Sequence, residues 1–457
     1  MSSRIVLVRF RLTATMLTIA LCIGCEVPVE SQPASNEQAS DSPHSAKVGS
    51  ESCMGCHGKS IDPDEETWKW SFSKFMRDDP HQTAFRILQQ PEARQMVHIL
   101  DPTVNVENEY GAFVSKHCVV CHATPADKSQ QITYGVGCES CHGGAEEWID
   151  EHSHETWNQL TTQQLRQHGY RDLTDPIVAA ETCVGCHVGQ AATNVTPTRE
   201  VTHDLIAAGH PALRFDFVSY FAALPKHWKD TSQSSPWNQW KIAKLVSTKA
   251  CLDLLDYRLR RTNSETTAKY TLEFSEFDCF GCHRSLVDNA MTSSSSGKLH
   301  WGDWIGGMNQ LAGINTDDWQ RLSEALASPS ADYQRISNSI KSLKAQIDQQ
   351  LSEFDNSGDM PIPVDFIDTC GTISWEIETQ WALAANAWIK SQSEYHSGSK
   401  LDQTLKDIFN ELKFLSDYQS PLDIDLRAVI QRRSALTHLM NQIDRTNDSG
   451  TSRANNQ

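Results

Sequence analysis

The chain reads as mainly α and as two successive parts: short helices and loops over residues 49–300, then a helical bundle over 301–446. Three observations predict this. A five-residue pattern, C-x-x-C-H, recurs five times and only before residue 300. Between its copies no alternating strand pattern of useful length occurs, and Gly, Pro and Asp break the apolar runs into short pieces. Beyond Thr316 the pattern stops and apolar residues recur at three and four, the spacing of one helical face.

The N-terminal element is a leader. Arg4, Arg9 and Arg11 precede an apolar run from Leu12 to Gly24, too short for a mature membrane span and suited to a bacterial export signal over 1–24. The run ends Leu21-Cys22-Ile23-Gly24-Cys25, which is similar to a lipoprotein signal with Cys25 as the lipidated residue, although Cys22 stands where a leucine is usual. Residues 25–48 are rich in Ser, Pro, Glu, Gln and Ala and read as a disordered tether. The expected location is the periplasmic side, membrane-anchored only through a lipid. Removing 1–24 deletes three arginines and no acid, taking the formal charge from −18 to −21. That acidity excludes nucleic acid, or an anionic membrane surface, as a partner reached through basic patches.

The repeated motifs are Cys53-Met54-Gly55-Cys56-His57, Cys118-Val119-Val120-Cys121-His122, Cys138-Glu139-Ser140-Cys141-His142, Cys183-Val184-Gly185-Cys186-His187 and Cys279-Phe280-Gly281-Cys282-His283. Chance gives roughly 0.02 such matches at this composition, so the repetition carries chemistry. A redox C-x-x-C or a zinc ribbon uses the cysteine pairs but does not explain a histidine behind each one. Covalent haem c does: the two thiols add across the porphyrin vinyls and the histidine ligates the iron. The expected cofactors are five haem c groups, attached through ten cysteines, with proximal His57, His122, His142, His187 and His283.

The second axial ligand decides what each iron can do, because histidine closes it for electron transfer and an open position admits a small molecule. Thirteen histidines lie outside the motifs. His44, His396 and His438 are remote, and ten remain for five irons. Candidate distal ligands are His81 in Asp79-Pro80-His81, His152 downstream of the third motif, and His203 and His210, which flank a two-turn helix ended by Gly209 and Pro211. His98, His117, His154, His168, His227 and His300 rank below them. The 20-residue step from Cys118 to Cys138 places the second and third haems close together.

Three stretches carry a resemblance: Gly135 to Gly143 around the third motif, Thr202 through Leu213, and Glu276 to His283. They are similar to the multihaem c-type cytochromes that include pentahaem nitrite reductases and the tetrahaem carriers of ammonia oxidisers. The resemblance, over roughly 50–300, implies closely stacked His/His haems with distal roles for His81, His152, His203 and His210. The chain departs twice: no C-x-x-C-K occurs, and Arg284 stands where some relatives carry a histidine.

Trp237 to Arg261 reads as a long helix whose stripe, Leu245, Leu252, Leu255 and Leu259, is expected to pack on the haem-binding part. The bundle helices carry Ile336 to Phe354, Ile373 to Trp388, Leu401 to Leu415 and Leu426 to Ile443 at helical spacing. Residues 447–457 read as a tail. Cys251 and Cys370 are the remaining mature cysteines outside the motifs and Cys25, and two oxidised partners or two buried thiols both remain open.

The reading is a cell-envelope cytochrome passing electrons between redox proteins, of unspecified oligomeric state. The alternative is an oxidoreductase acting on a small nitrogen or sulfur species at one five-coordinate haem. Mass spectrometry of the mature product is expected to exceed the polypeptide mass by five haems, with a matching pyridine haemochrome. A bare-polypeptide mass would overturn the reading.

Overall fold

The structure is a computed structural model, and it describes residues 45–125, 132, 134–194, 196–229, 234–264, 273–277, 303–326, 333–354, 375–392, 395–412 and 426–454. Contacts divide the chain into residues 1–41 and 42–457; the first unit, with Cys25, lies outside the described residues. So do the fifth motif, His300 and Cys370.

The fold is mainly α. Among the described residues no strand forms, and an isolated bridge joins Gln190 to Arg199. Up to residue 223 the helices are short, the longest being Pro176–His187. Its start is specified locally. Asp175 accepts hydrogen bonds from the Ile177 and Val178 amides, and Pro176 occupies the first turn, where no amide is needed.

The Pro236–Ser264 helix is the spine of the molecule. One face carries Ile242, Ala243 and Val246 onto Ala179, Ala180 and Val184 of the Pro176–His187 helix, with Phe215 and Phe217 beside them. The leucine stripe goes elsewhere than the sequence led us to expect. Leu245, Leu252, Leu255 and Leu259 pack on the Thr316–Leu326 and Tyr333–Ser352 helices, where Ile336, Ile340, Leu343 and Ile347 meet them. Periodicity identifies an apolar face but not its neighbour, and this helix is apolar on more than one side.

A second core forms around the Trp375–Lys390 helix, every residue of which from Trp375 to Ile389 is buried. A helix buried all round is a central element, not a wall of a bundle. Lys400–Leu412 and Leu426–Ala454 pack on it through Leu405, Ile408, Leu412, Val429, Leu436 and Met440, and Trp237, Trp240 and Trp304 close it from the spine's side. No proline interrupts the last helix, whose backbone runs on to Ala454, past the boundary expected at 446.

The buried helix carries two buried carboxylates, and each has a partner. Arg214, just after His210, pairs with Glu376 at 2.7 Å, and Arg433 pairs with the fully buried Glu378 at 2.6 Å. The first contact joins the segment after His210 to the C-terminal helices, and the second ties two of those helices together. Removing one partner would strand a buried charge, at a cost of about 3–5 kcal/mol.

Lys244 is also buried and donates to Gln380 Oε1 at 2.9 Å and to the Trp304 carbonyl at 3.3 Å. Burial pushes its pKa from 10.5 down to about 7, with nearby Asp216 opposing. The unfolded chain therefore holds a proton that the folded chain has released between those values. Stability is fully present above the ordinary lysine range and is lost as pH falls toward 7. The parent protein is expected to show a rise in urea midpoint between pH 7 and pH 9, and Lys244→Met to abolish Lys244's share of it.

Candidate functional site

The four described motifs each end a short helix: Glu51–His57, Val119–His122, Cys138–His142 and Pro176–His187. Residues three and four apart on a helix share a face. Each motif therefore presents two sulfurs and an imidazole on one side of its helix. All four sets line one cavity of about 1870 Å³, far larger than the ~300–1,000 Å³ of an ordinary small-molecule site. His81, His152, His210 and His227 line the same cavity, which Phe72, Phe75, Trp148, Tyr170, Phe215 and Tyr220 wall.

Third-motif geometry rests on Glu139, which is only 2% exposed. Its carboxylate accepts from the amides of Val48 at 2.9 Å, Gly49 at 2.8 Å and Ala145 at 2.9 Å. Residues 45–48, which composition placed in the tether, are held here, with Ser45 Oγ accepting from the Glu147 amide at 3.0 Å. Gly143 and Gly144 let the chain leave the motif, because a Cβ on either would strike the carbonyl of Gly169 or Ser45, and Gly143 has φ +86°.

The histidines come together in pairs from segments far apart in sequence. His57 and His152 have ring centroids 6.2 Å apart with planes at 17°. His81 and His187 stand 6.0 Å apart at 86°, and His122 and His210 stand 6.2 Å apart at 89°. An ion about 2 Å from each ligating nitrogen, with that nitrogen about 1 Å from its ring centre, needs centroids roughly 6 Å apart. All three pairs fit an axially ligated iron. Four-ligand zinc chemistry does not fit: among the described residues no three His, Cys, Asp or Glu side chains gather to hold an ion.

His142, of the third motif, is the described motif histidine left outside these pairs. Its ring stacks beside Tyr170 at 6.1 Å and 24°. Burial, with His227 and His57 nearby, pushes its pKa down to about 4. Burial, with His81 nearby, does the same to His187. Both rings are neutral at pH 7, the form in which an imidazole has a lone pair to give.

His227 is close enough to bias His142, its Nδ1 is buried without a hydrogen-bond partner, and burial lowers its pKa. It packs on Phe75 and Trp228 with ring separations of 5.7 and 4.9 Å. Sequence reasoning ranked it low because nothing but the adjacent Trp228 marks it. The remaining low-ranked histidines divide: His117 lines the cavity, whereas His98 and His154 are exposed and His168 packs on Trp157 at 5.6 Å.

His203 is not brought to any of the four described motifs. Its amide donates to Glu273 Oε1 at 2.7 Å and its ring lies 5.9 Å from Phe274. Glu273 to Phe277 is the segment that leads into the fifth motif.

The motifs also touch one another. The Cys53 and Cys138 thiols hydrogen-bond, as do those of Cys121 and Cys186. Burial pushes Cys141 and Cys183 up to about 12. The second and third motifs, expected to be close, are linked through Thr124, whose hydroxyl bonds Ser140 Oγ and accepts from the Gly137 amide at 2.9 Å.

A family described as cytochrome c554 and c-prime matches residues 53–143, from the first motif through the third. That stretch is similar to c-type cytochromes. The match supports haem c and electron transfer as the chemistry of that stretch, and it covers about a fifth of the chain. No curated protein and no solved structure matches. Among the described residues no helix is long and apolar enough to cross a membrane.

Glu139→Ala is expected to leave three buried amides unsatisfied and to cost roughly 2–5 kcal/mol, read as a lower thermal midpoint. Glu139→Gln should recover part of that loss, since its amide keeps an accepting oxygen.

Proposed function

We propose that the protein is an exported, lipid-anchored electron carrier holding five haem c groups. The observation that carries the reading is the set of three imidazole pairs at 6.0–6.2 Å, each combining a motif histidine with one from elsewhere in the chain. Proximal His57, His122 and His187 would be opposed by His152, His210 and His81. His227 would serve the third motif. His203, against the segment entering the fifth motif, would serve the iron of His283.

Bound haem supplies a one-electron change between ferric and ferrous iron. The chain's own part would be to offer two imidazole nitrogens to each metal, one from either ring of a pair, so that small molecules would be kept off it. Backbone carbonyls fix the rings: those of Trp68, Trp148 and Pro211 accept from Nδ1 of His57 at 2.7 Å, His152 at 3.3 Å and His210 at 2.8 Å. Apolar and aromatic walls exclude water, which keeps the charge change at each iron from being dispersed in solvent. The cysteine contacts, with the Thr124–Ser140 bond, support a chain of neighbours: first beside third, third beside second, second beside fourth. Electrons would leave to redox proteins of the cell envelope, which the negative charge suits to basic docking faces.

Resting-state electron paramagnetic resonance tests this against the alternative of an enzyme with an open iron. Low-spin ferric signals alone are expected. Imidazole planes at 17° should give the first-motif haem a rhombic signal, and planes at 86° and 89° should give the fourth and second a strongly anisotropic one. A high-spin ferric signal in the parent protein would favour the enzyme. His152→Ala is expected to convert one low-spin haem to high spin.

A further inference from the structure

The distal ring offered to the fourth motif has a carboxylate behind it. Asp79 is 3% exposed and sits between the Ser71–Asp78 helix and the Pro80–Thr83 turn, which it caps. Its Oδ1 accepts from the His81 amide at 2.9 Å and from His81 Nδ1 at 2.9 Å. Pro80 between them fixes one backbone angle of the turn that brings the carboxylate and the ring together. With Nδ1–H committed to Asp79, Nε2 is left as the lone-pair nitrogen, on a ring 6.0 Å from that of His187.

The contrast is with four other rings facing the cavity. His57, His122, His152 and His210 each direct Nδ1 to a neutral backbone carbonyl, of Trp68, Ala84, Trp148 and Pro211. A carbonyl orients a ring. A buried carboxylate also draws on the Nδ1 proton and makes the opposite nitrogen a stronger donor, as in the carboxylate–histidine–metal arrangements of other metalloproteins. A stronger donor favours the more highly charged state of the iron it binds. The negative charge is deep in the interior, near enough to raise the proton affinity of His227 and of Cys141.

We propose that Asp79 is a positioning residue which, acting through His81, holds the haem of the fourth motif at a lower potential than a carbonyl-backed histidine would. This deepens the electron-carrier reading and rests on it. The fourth iron would then be the harder member of its pair to reduce, so electrons arriving there would pass on to the second motif, whose Cys121 touches Cys186.

The test is a potentiometric titration of the full haem-loaded chain, followed by electron paramagnetic resonance at each poise. Asp79→Asn keeps the shape and Asp79→Ser keeps a capping oxygen, and both remove the charge. Each is expected to raise the potential of one strongly anisotropic low-spin component. Its oxidised-to-reduced ratio at fixed poise should change about tenfold, which is ~59 mV for a one-electron couple. Haem content and the first-motif rhombic signal should hold.

A purely structural role would lower the thermal midpoint or haem content and leave potentials in place, and that result overturns the proposal. Should Asn fail to fold, Ser carries the measurement. His81→Ala separates this failure from that of the wider reading. It should create one high-spin haem. Unchanged low-spin signals there would remove His81 as a ligand and sink the proposal alone, whereas a parent chain without covalent haem would sink the carrier.

Discussion

The constraint on which the rest of the structure depends is the distance between imidazole rings. Three pairs are held within 0.2 Å of one another in separation, although their members come from different helices, turns and loops. Nothing in an ordinary apolar core asks for that. Aromatic side chains pack over a broad range of separations, and histidines facing each other across a cavity gain little from dispersion. A common object between the rings would explain the repeated spacing, and the helical face that carries each motif's sulfurs would supply its attachment. The cavity, its aromatic walls and the short helices suit the enclosure of several such objects within one unit.

The spine helix solves the complementary problem of giving so open an interior something rigid to lean on. Pro236–Ser264 meets the fourth-motif helix through small residues on one face and the C-terminal helices through leucines on another. The Trp375–Lys390 helix, buried from Trp375 to Ile389, and its paired carboxylates continue that support. The C-terminal part thus shares its core with the haem-binding segments, through Trp237, Trp240 and the Arg214–Glu376 pair.

Much of this was legible in the sequence, for reasons that differ by residue. The motif cysteines and histidines announce themselves because their chemistry demands fixed local spacing. Helical periodicity announced the Tyr333–Ser352 and Lys400–Leu412 helices in the same way. His81, His152 and His210 carried weaker marks, such as an adjacent proline or a helix end. Which motif each one faces was not legible, since pairing is set by the packing of remote segments. His227 carried almost no mark and was found only through its position. The Leu245 to Leu259 stripe shows the same limit in apolar form, because its spacing gave the face and not the partner. Glu139 was hidden inside a motif whose middle residues chemistry leaves free.

The pairing has a further consequence for the chain's topology. Joined through a metal, His57 to His152, His122 to His210 and His81 to His187 would close three large rings of polypeptide that overlap in sequence. A covalent staple across ~100 residues removes roughly 4–5 kcal/mol of denatured-state freedom, and a coordinate bond on a tethered porphyrin acts in the same sense. A copy that left the assembly machinery with one site unfilled would have a slack ring where a taut one belongs. Proteases of the envelope would find that ring first, so completeness of loading and survival of the polypeptide would be coupled without any dedicated inspector.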